Sequence, residues 1–251
     1  MQKIDNGSDR AFRKRQKENN MRKKDTVLFD FDGTIMDTND VILKSWQYTF
    51  MSLENREADE NELKKTFGEP LDITISRFFP EVPVEKSIEI YRSYQRDHFR
   101  ELITLFPGMK ELLKVLKKQG YKIGLVTSRL YNTTVQGLEK YQIKEYFDAI
   151  VTPEDTDRHK PDPEPVLIAL EKLGSIPENA VMLGDTLFDI KCAGNAGVES
   201  VLVSWSFALS GETKESLGGD APDYIIGKPD ELLEILSPEG GHDDRGKKVD
   251  I

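Results

Sequence analysis

Two aspartates two residues apart, Asp30 and Asp32, close the apolar run Thr26-Val27-Leu28-Phe29 and lead directly into Gly33 and Thr34. An apolar run of this length ending in a glycine turn reads as a strand buried on both faces of a parallel sheet. Such sheets bind ligands in the crevice beyond the carboxyl ends of their strands, which is where both carboxylates fall. Neighbouring acids are costly to bury unless a cation compensates them. The pattern therefore points to a Mg²⁺ site with one aspartate free to attack phosphorus. Taken alone, the five residues also fit a solvated Asp-x-Asp-Gly turn, so the decision rests on segments elsewhere.

The second half of the chain alternates short apolar runs with helical patterns. Tyr121–Val126, Asp148–Val151, Ala180–Gly184, Ser200–Ser204 and Asp223–Ile226 read as strands. Glu111–Gln119, Tyr131–Tyr141, Glu164–Leu173, Leu187–Ala196 and Asp230–Leu236 read as helices. This alternation predicts an α/β fold, a Rossmann-like doubly wound parallel sheet.

About ninety residues separate Asp32 from Tyr121, far more than a simple crossover needs. The interval is helical in pattern, with Val41, Leu43, Trp46, Tyr48 and Phe50 marking one segment and Ile88, Ile90, Tyr91, Tyr94 and Phe99 another. These aromatics read as the core of a small α-helical bundle, an inserted cap over residues 38–104 placed to act as a lid. Residues 23–37 and 105–236 then form the core.

Three further segments carry chemistry. Thr127 and Ser128 end the second predicted strand, where a hydroxyl could meet a phosphoryl oxygen or simply start a turn. Lys160 precedes Pro161, which disfavours helix there and fixes an extended approach to the next helix. A lysine so held can neutralise a nucleophile and a phosphoryl group, or be a surface lysine before a helix. His159 reads as its exposed neighbour. Gly184-Asp185 ends an apolar strand, and Asp189 follows four residues later at a helix start. Carboxylates there suit Mg²⁺, although Asp189 could instead cap the helix.

Composition narrows the partners. The net charge is −10, and residues 1–24 hold nine Lys/Arg against three Asp/Glu, leaving about −16 for the rest. An acidic body argues against nucleic acid as a partner. No apolar run approaches the roughly 20 residues of a membrane-spanning helix. A single cysteine, Cys192, excludes an internal disulfide and fits a cytoplasmic protein, where it reads as a packing residue. Residues 1–22 read as a disordered basic leader, within which Met21 offers an alternative start, and 237–251 as a disordered tail.

Asp30-x-Asp32-Gly33-Thr34, Val126-Thr127-Ser128, Lys160-Pro161-Asp162-Pro163 and Gly184-Asp185-x-x-x-Asp189, in this order over roughly residues 25–236, resemble the four motifs of the haloacid-dehalogenase superfamily. The helical insert resembles the cap of its phosphoglycolate phosphatase and β-phosphoglucomutase branch. Phe67-Gly68-Glu69-Pro70-Leu71, the Lys-Pro-Asp-Pro-Glu-Pro run and Val203-Ser204-Trp205-Ser206 look most like bacterial pyrophosphatases within it.

The resemblance implies that Asp30 is the nucleophile and Asp32 the acid and base of an aspartyl-phosphate mechanism. It implies Mg²⁺ held by Asp30, the Asp32 carbonyl and Asp185, with Asp189 behind them. Thr127 and Lys160 would hold phosphoryl oxygens, Gly33 and Thr34 would bring backbone donors close to the substrate, and Ser128 would also meet it. The turn Gly68-Glu69-Pro70 would shape substrate space, Glu69 facing solvent or pairing with a cap cation. The substrate would be a small phosphorylated metabolite or pyrophosphate, and the protein a monomer or homodimer. Ile42 stands where β-phosphoglucomutases carry a histidine, which argues against mutase activity. Asp32 argues against a dehalogenase, and Leu71, near the place of a Schiff-base lysine, against phosphonate cleavage. A non-catalytic phospho-ligand-binding regulator is the alternative of a different class.

Overall fold

The computed structural model describes residues 24–66, 70–206 and 221–237. β1 (Thr26–Phe29) is buried along its whole length and lies between two parallel partners, β4 (Lys122–Val126) and β6 (Ala180–Gly184). With β5 (Ala149–Val151), β7 (Glu199–Val203) and β8 (Tyr224–Ile226) they form a six-stranded sheet in the order β5-β4-β1-β6-β7-β8. Every pairing in it is parallel, as the unbroken apolar runs require.

Helices cover both faces, as expected of a doubly wound sheet. Val27, Phe29, Leu113, Leu116 and Leu138 pack on one side, bringing in α5 (Met109–Lys118) and α6 (Tyr131–Lys140). Leu28, Val126, Ala169, Leu170 and Cys192 pack on the other, with α7 (Glu164–Leu173) and α8 (Leu187–Asn195). Cys192 is buried, its Sγ 3.0 Å from the Asp162 carbonyl, which matches the packing role expected of it.

The helical interval contains α1 (Asn39–Glu54), α2 (Glu60–Lys64), α3 (Leu71–Phe78) and α4 (Val84–Leu102). Trp46, Phe50, Ile75, Phe79 and Tyr91 form their own apolar cluster. Val41 at the start of α1 and Phe99 near the end of α4 belong instead to the cluster on the sheet. The insertion is thus a bundle at its far end and part of the main core at its feet.

Not every aromatic expected in the bundle core lies there. Tyr48 is 45% exposed and packs on half-buried Tyr94, ring centroids 5.3 Å apart. Helical phase places them on the outer face of α1 and α4.

Strand and helix ends shift by a residue or two from those read in the sequence, and the shifts have local causes. Tyr121 lies outside β4 because its N–H closes the turn after α5 by donating to Leu116 O. Asp148 lies outside β5 because its carboxylate accepts the Ile123 N–H and pairs with Lys117. The last predicted helix begins as a 3₁₀ turn at Pro229–Glu231 and becomes α9 (Leu232–Leu236).

A small ladder escaped the sequence reading. β2 (Met36–Asp37) and β3 (Thr104–Leu105) form a two-stranded antiparallel ladder where the chain leaves for the insertion and returns. Two residues per strand are too few to show periodicity. The predicted leader at 1–22, the tail beyond 237, and Phe67, Gly68 and Glu69 lie outside the described residues.

Candidate active site

The site gathers at the carboxyl ends of β1, β4 and β6, under a cavity of about 560 Å³ walled above by the insertion. Asp30 follows β1 and is 7% exposed. Lys160 Nζ sits 2.6 Å from Asp30 Oδ1, 2.6 Å from Asp189 Oδ1 and 2.7 Å from the Val126 carbonyl. All three ammonium protons are therefore engaged. Lys160 reaches this position from a loop in which the Lys160–Pro161 peptide is cis.

Asp185 follows β6 and accepts a hydrogen bond from Ser206 Oγ. Asp189 caps the following helix and adds a bond to Lys160 that the sequence did not suggest. One oxygen bonds Lys160, while the other accepts from the Thr186 N–H and hydroxyl, closing a capping box at the start of α8. It stands nearer the centre than expected, because carboxylate oxygens of Asp30, Asp185 and Asp189 all lie within 4.8 Å of one another.

The electrostatics of this cluster are unbalanced. Burial pushes the Asp30 carboxyl up to about 7, and the charges of Asp189 and Asp32 add to the rise against the pull of Lys160. Burial, with Asp189 and Asp30, also pushes Asp185 well above the ordinary carboxylate range. Burial opposes the charged form of Lys160, yet Asp189 and Asp30 hold its pKa above the usual value. Three ionised carboxylates against one ammonium would leave two uncompensated negative charges. An all-oxygen donor set with that surplus fits a hard divalent cation such as Mg²⁺.

Glycine is required twice. Gly33 has φ +72°, and a Cβ there would fall 1.9 Å from Asp185 Oδ2. A Cβ on Gly184 would fall 2.2 Å from Asp189 Cβ. The two carboxylates approach the backbone this closely only because neither residue has a side chain.

The remaining predicted residues divide into two groups. Asp32, Pro70 and Ser128 join Asp30, Lys160, Asp185 and Asp189 on the cavity wall, whereas Gly33, Thr34 and Thr127 lie behind it. The Gly33 N–H, expected to face substrate, donates instead to Met36 O at 2.8 Å, so what Gly33 supplies is room. Thr34 is fully buried; its hydroxyl finds no partner among the described residues, and its carbonyl accepts the Trp205 indole N–H. Thr127 is 5% exposed and its Oγ1 accepts the Arg129 N–H, leaving its own proton available to donate. His159 is exposed at the cavity edge with Nδ1 3.2 Å from Thr156 Oγ1. The predicted contacts at Gly68 and Glu69 fall outside the described residues.

Sequence reasoning missed Arg129. Only 8% exposed, it holds both oxygens of Asp32, lies 3.4 Å from Gln95 Oε1 of α4, and places its guanidinium 4.4 Å from the Phe99 ring centroid. Its position directly after Thr127-Ser128 was the available signal, but its partners are 97 and 34 residues away in sequence.

The pattern of the haloacid dehalogenase-like hydrolases matches residues 27–203. The chain belongs to that family. Pyrophosphatase PpaX of Bacillus cereus is 38% identical over 215 residues, which cover 86% of this chain and 97% of that protein. A Clostridium perfringens protein provisionally given the same name is 40% identical over 210 residues, 84% of this chain and 96% of its own. A haloacid dehalogenase-like hydrolase from Streptococcus pneumoniae superposes with a TM-score of 0.76 at 27% identity, covering 86% of this chain and 99% of its own. The family and fold expected from the motifs are thus borne out, and the protein is a hydrolase. Among the described residues no helix is long and apolar enough to cross a membrane.

Proposed function

We propose that this enzyme is a Mg²⁺-dependent phosphohydrolase that works through an aspartyl-phosphate on Asp30, with inorganic pyrophosphate as the first substrate to test. The observation that carries this reading is the unbalanced acidic cluster of Asp30, Asp185 and Asp189 at the cavity, with Asp32 on the same wall bound by Arg129.

Asp30 would bond to phosphorus as the bond to the leaving oxygen breaks. Asp32 would give that oxygen a proton, then take one from the water that hydrolyses the acyl phosphate. Arg129 fixes the Asp32 carboxylate for both transfers. Thr127, whose Oγ1 accepts the Arg129 N–H and whose own proton is not spent there, would donate to a phosphoryl oxygen that reaches past the cavity wall. Lys160 would neutralise charge on Asp30, releasing one of its three present partners if it is also to hold phosphate.

Asp30, Asp185 and the Asp32 carbonyl would hold Mg²⁺, with Asp189 adjoining. Bound there, the ion screens the repulsion between an anionic nucleophile and an anionic substrate. Phosphoryl transfer needs chiefly positioning and neutralised charge, and these residues are suited to both.

The pyrophosphatase names of the relatives support pyrophosphate. A second reading, a small organic phosphomonoester such as 2-phosphoglycolate, is favoured by the apolar upper wall of Ile42, Trp46, Leu71, Ile88 and Tyr91. Ile42 faces the cavity with no proton to exchange, which weighs against a mutase. The single cysteine and the absence of a spanning helix among the described residues are compatible with a cytoplasmic enzyme.

A phosphate-release screen of pyrophosphate, 2-phosphoglycolate, sugar phosphates and nucleotides, with and without Mg²⁺, tests the reading. Mg²⁺-dependent release is expected. No release from any of them, with Mg²⁺ present, would favour a phospho-ligand-binding regulator.

A further inference from the structure

The cations around the cavity are not equivalent. Lys160 is spent on Asp30, Asp189 and a carbonyl. Arg129 is spent on Asp32 and Gln95. Arg96 is exposed and ion-paired to Glu89. Arg92 lines the same cavity, is half-buried, and makes no hydrogen bond or ion pair with any described residue. Glu89, the nearest acid on its own helix, already has Arg96 as its partner.

Its position can be traced from the reaction centre. Asp32 binds Arg129, and Arg129 reaches Gln95 on α4. Arg92 lies three residues before Gln95, on the same helix face and roughly 4.5 Å further along the axis. This rests on the phosphohydrolase reading above, in which Asp32 protonates the leaving oxygen. The chain Asp32–Arg129–Gln95–Arg92 then runs along the leaving-group side of the cavity.

We propose that Arg92 is the specificity-determining cation for leaving groups that bear their own negative charge. Its ligand is the second anionic group of the substrate, the outer phosphate of a diphosphate or the carboxylate of a phosphorylated hydroxy acid. The other cations on the wall, Lys160, Arg129 and Arg96, are already paired with carboxylates, and the neighbouring Asp72 is an exposed carboxylate that would repel an anion. Among the described residues of the wall, Arg92 is the guanidinium that no carboxylate already holds, and its fork-shaped donors suit a planar or tetrahedral oxyanion.

The test compares wild type, R92Q and R92K on pyrophosphate and 2-phosphoglycolate against p-nitrophenyl phosphate, whose leaving group carries no second anion before cleavage. R96Q serves as the control for general cap charge. R92Q is expected to lose about tenfold to a hundredfold in kcat/KM on the two charged substrates, mainly through KM, and under threefold on p-nitrophenyl phosphate. R92K should recover part of the loss. Equal losses on all three substrates, no loss, or the same pattern in R96Q would overturn the assignment. A wild type that hydrolyses p-nitrophenyl phosphate but neither charged substrate overturns this inference and leaves the phosphohydrolase reading standing. A wild type inert towards every substrate overturns both.

Discussion

Arg129 Nε lies 3.0 Å from both carboxylate oxygens of Asp32, and Nη2 lies 2.8 Å from one of them. The pair joins the loop after β1 to the loop after β4, and its far side rests on Gln95 and Phe99 of the insertion. One buried guanidinium thereby fixes the proposed acid and base and docks α4 on the core.

Replacing Arg129 by methionine keeps much of its apolar contact with Phe99 but frees Asp32. We expect kcat to fall about tenfold to a hundredfold, a fraction of what positioned acid–base catalysis contributes. Alkyl phosphates, with their poor leaving groups, should lose more than p-nitrophenyl phosphate. Steady-state kinetics on both measures the difference, and a uniform loss would reduce Arg129 to a structural role.

Among the described residues Lys160 is the sole ammonium against Asp30 and Asp189, each 2.6 Å away. Removing one partner of a buried charge pair typically costs ~3–5 kcal/mol. Lys160→Met should therefore destabilise the metal-free protein by about that amount and abolish turnover. Chemical denaturation checks it, and an undiminished stability would mean that the pair contributes little.

The metal site should titrate. Asp30 is raised to about 7 and Asp185 is raised as well, so both contribute stability to the metal-free fold at low pH that is lost as the pH climbs through their folded values. Mg²⁺ requires the ionised forms, so its affinity should rise over the same interval. Calorimetric melting with and without Mg²⁺ should show a larger Mg²⁺-induced gain in Tm at pH 8 than at pH 6. A gain independent of pH would separate the ion from these carboxylates.

Much of this was legible in the sequence because it is local. The apolar run before Asp30, the proline after Lys160 and the Gly184-Asp185 strand end each specify a short backbone shape and place one side chain. The α/β alternation followed from the same runs. What could not be read was what only tertiary contact creates. Arg129 looks like any loop arginine until Asp32 and Gln95 are brought to it. Gly33 looked like a phosphate donor until its N–H was found closing the loop on Met36. Tyr48 and Tyr94 carried the right residue type for a core but the wrong helical phase.

The insertion holds itself together at Phe50, fully buried and 4.8 Å from Phe79 and 5.4 Å from Phe78 between ring centroids. Phe50→Ala should cost ~3–5 kcal/mol through lost contacts and the cavity left behind. Urea denaturation measures it, and a cost below 1 kcal/mol would show that the insertion repacks.

The central claim is that Asp30 carries the phosphoryl group. Wild type and Asp30→Asn should be mixed with Mg²⁺ and ³²P-pyrophosphate, quenched in acid within a turnover, and reduced with borohydride to mark the acyl phosphate as homoserine. The account predicts acid-stable label on wild type, homoserine at position 30 alone, and neither label nor turnover in the variant. Phosphate release from a wild type that never acquires label, or homoserine at a different aspartate, would contradict it.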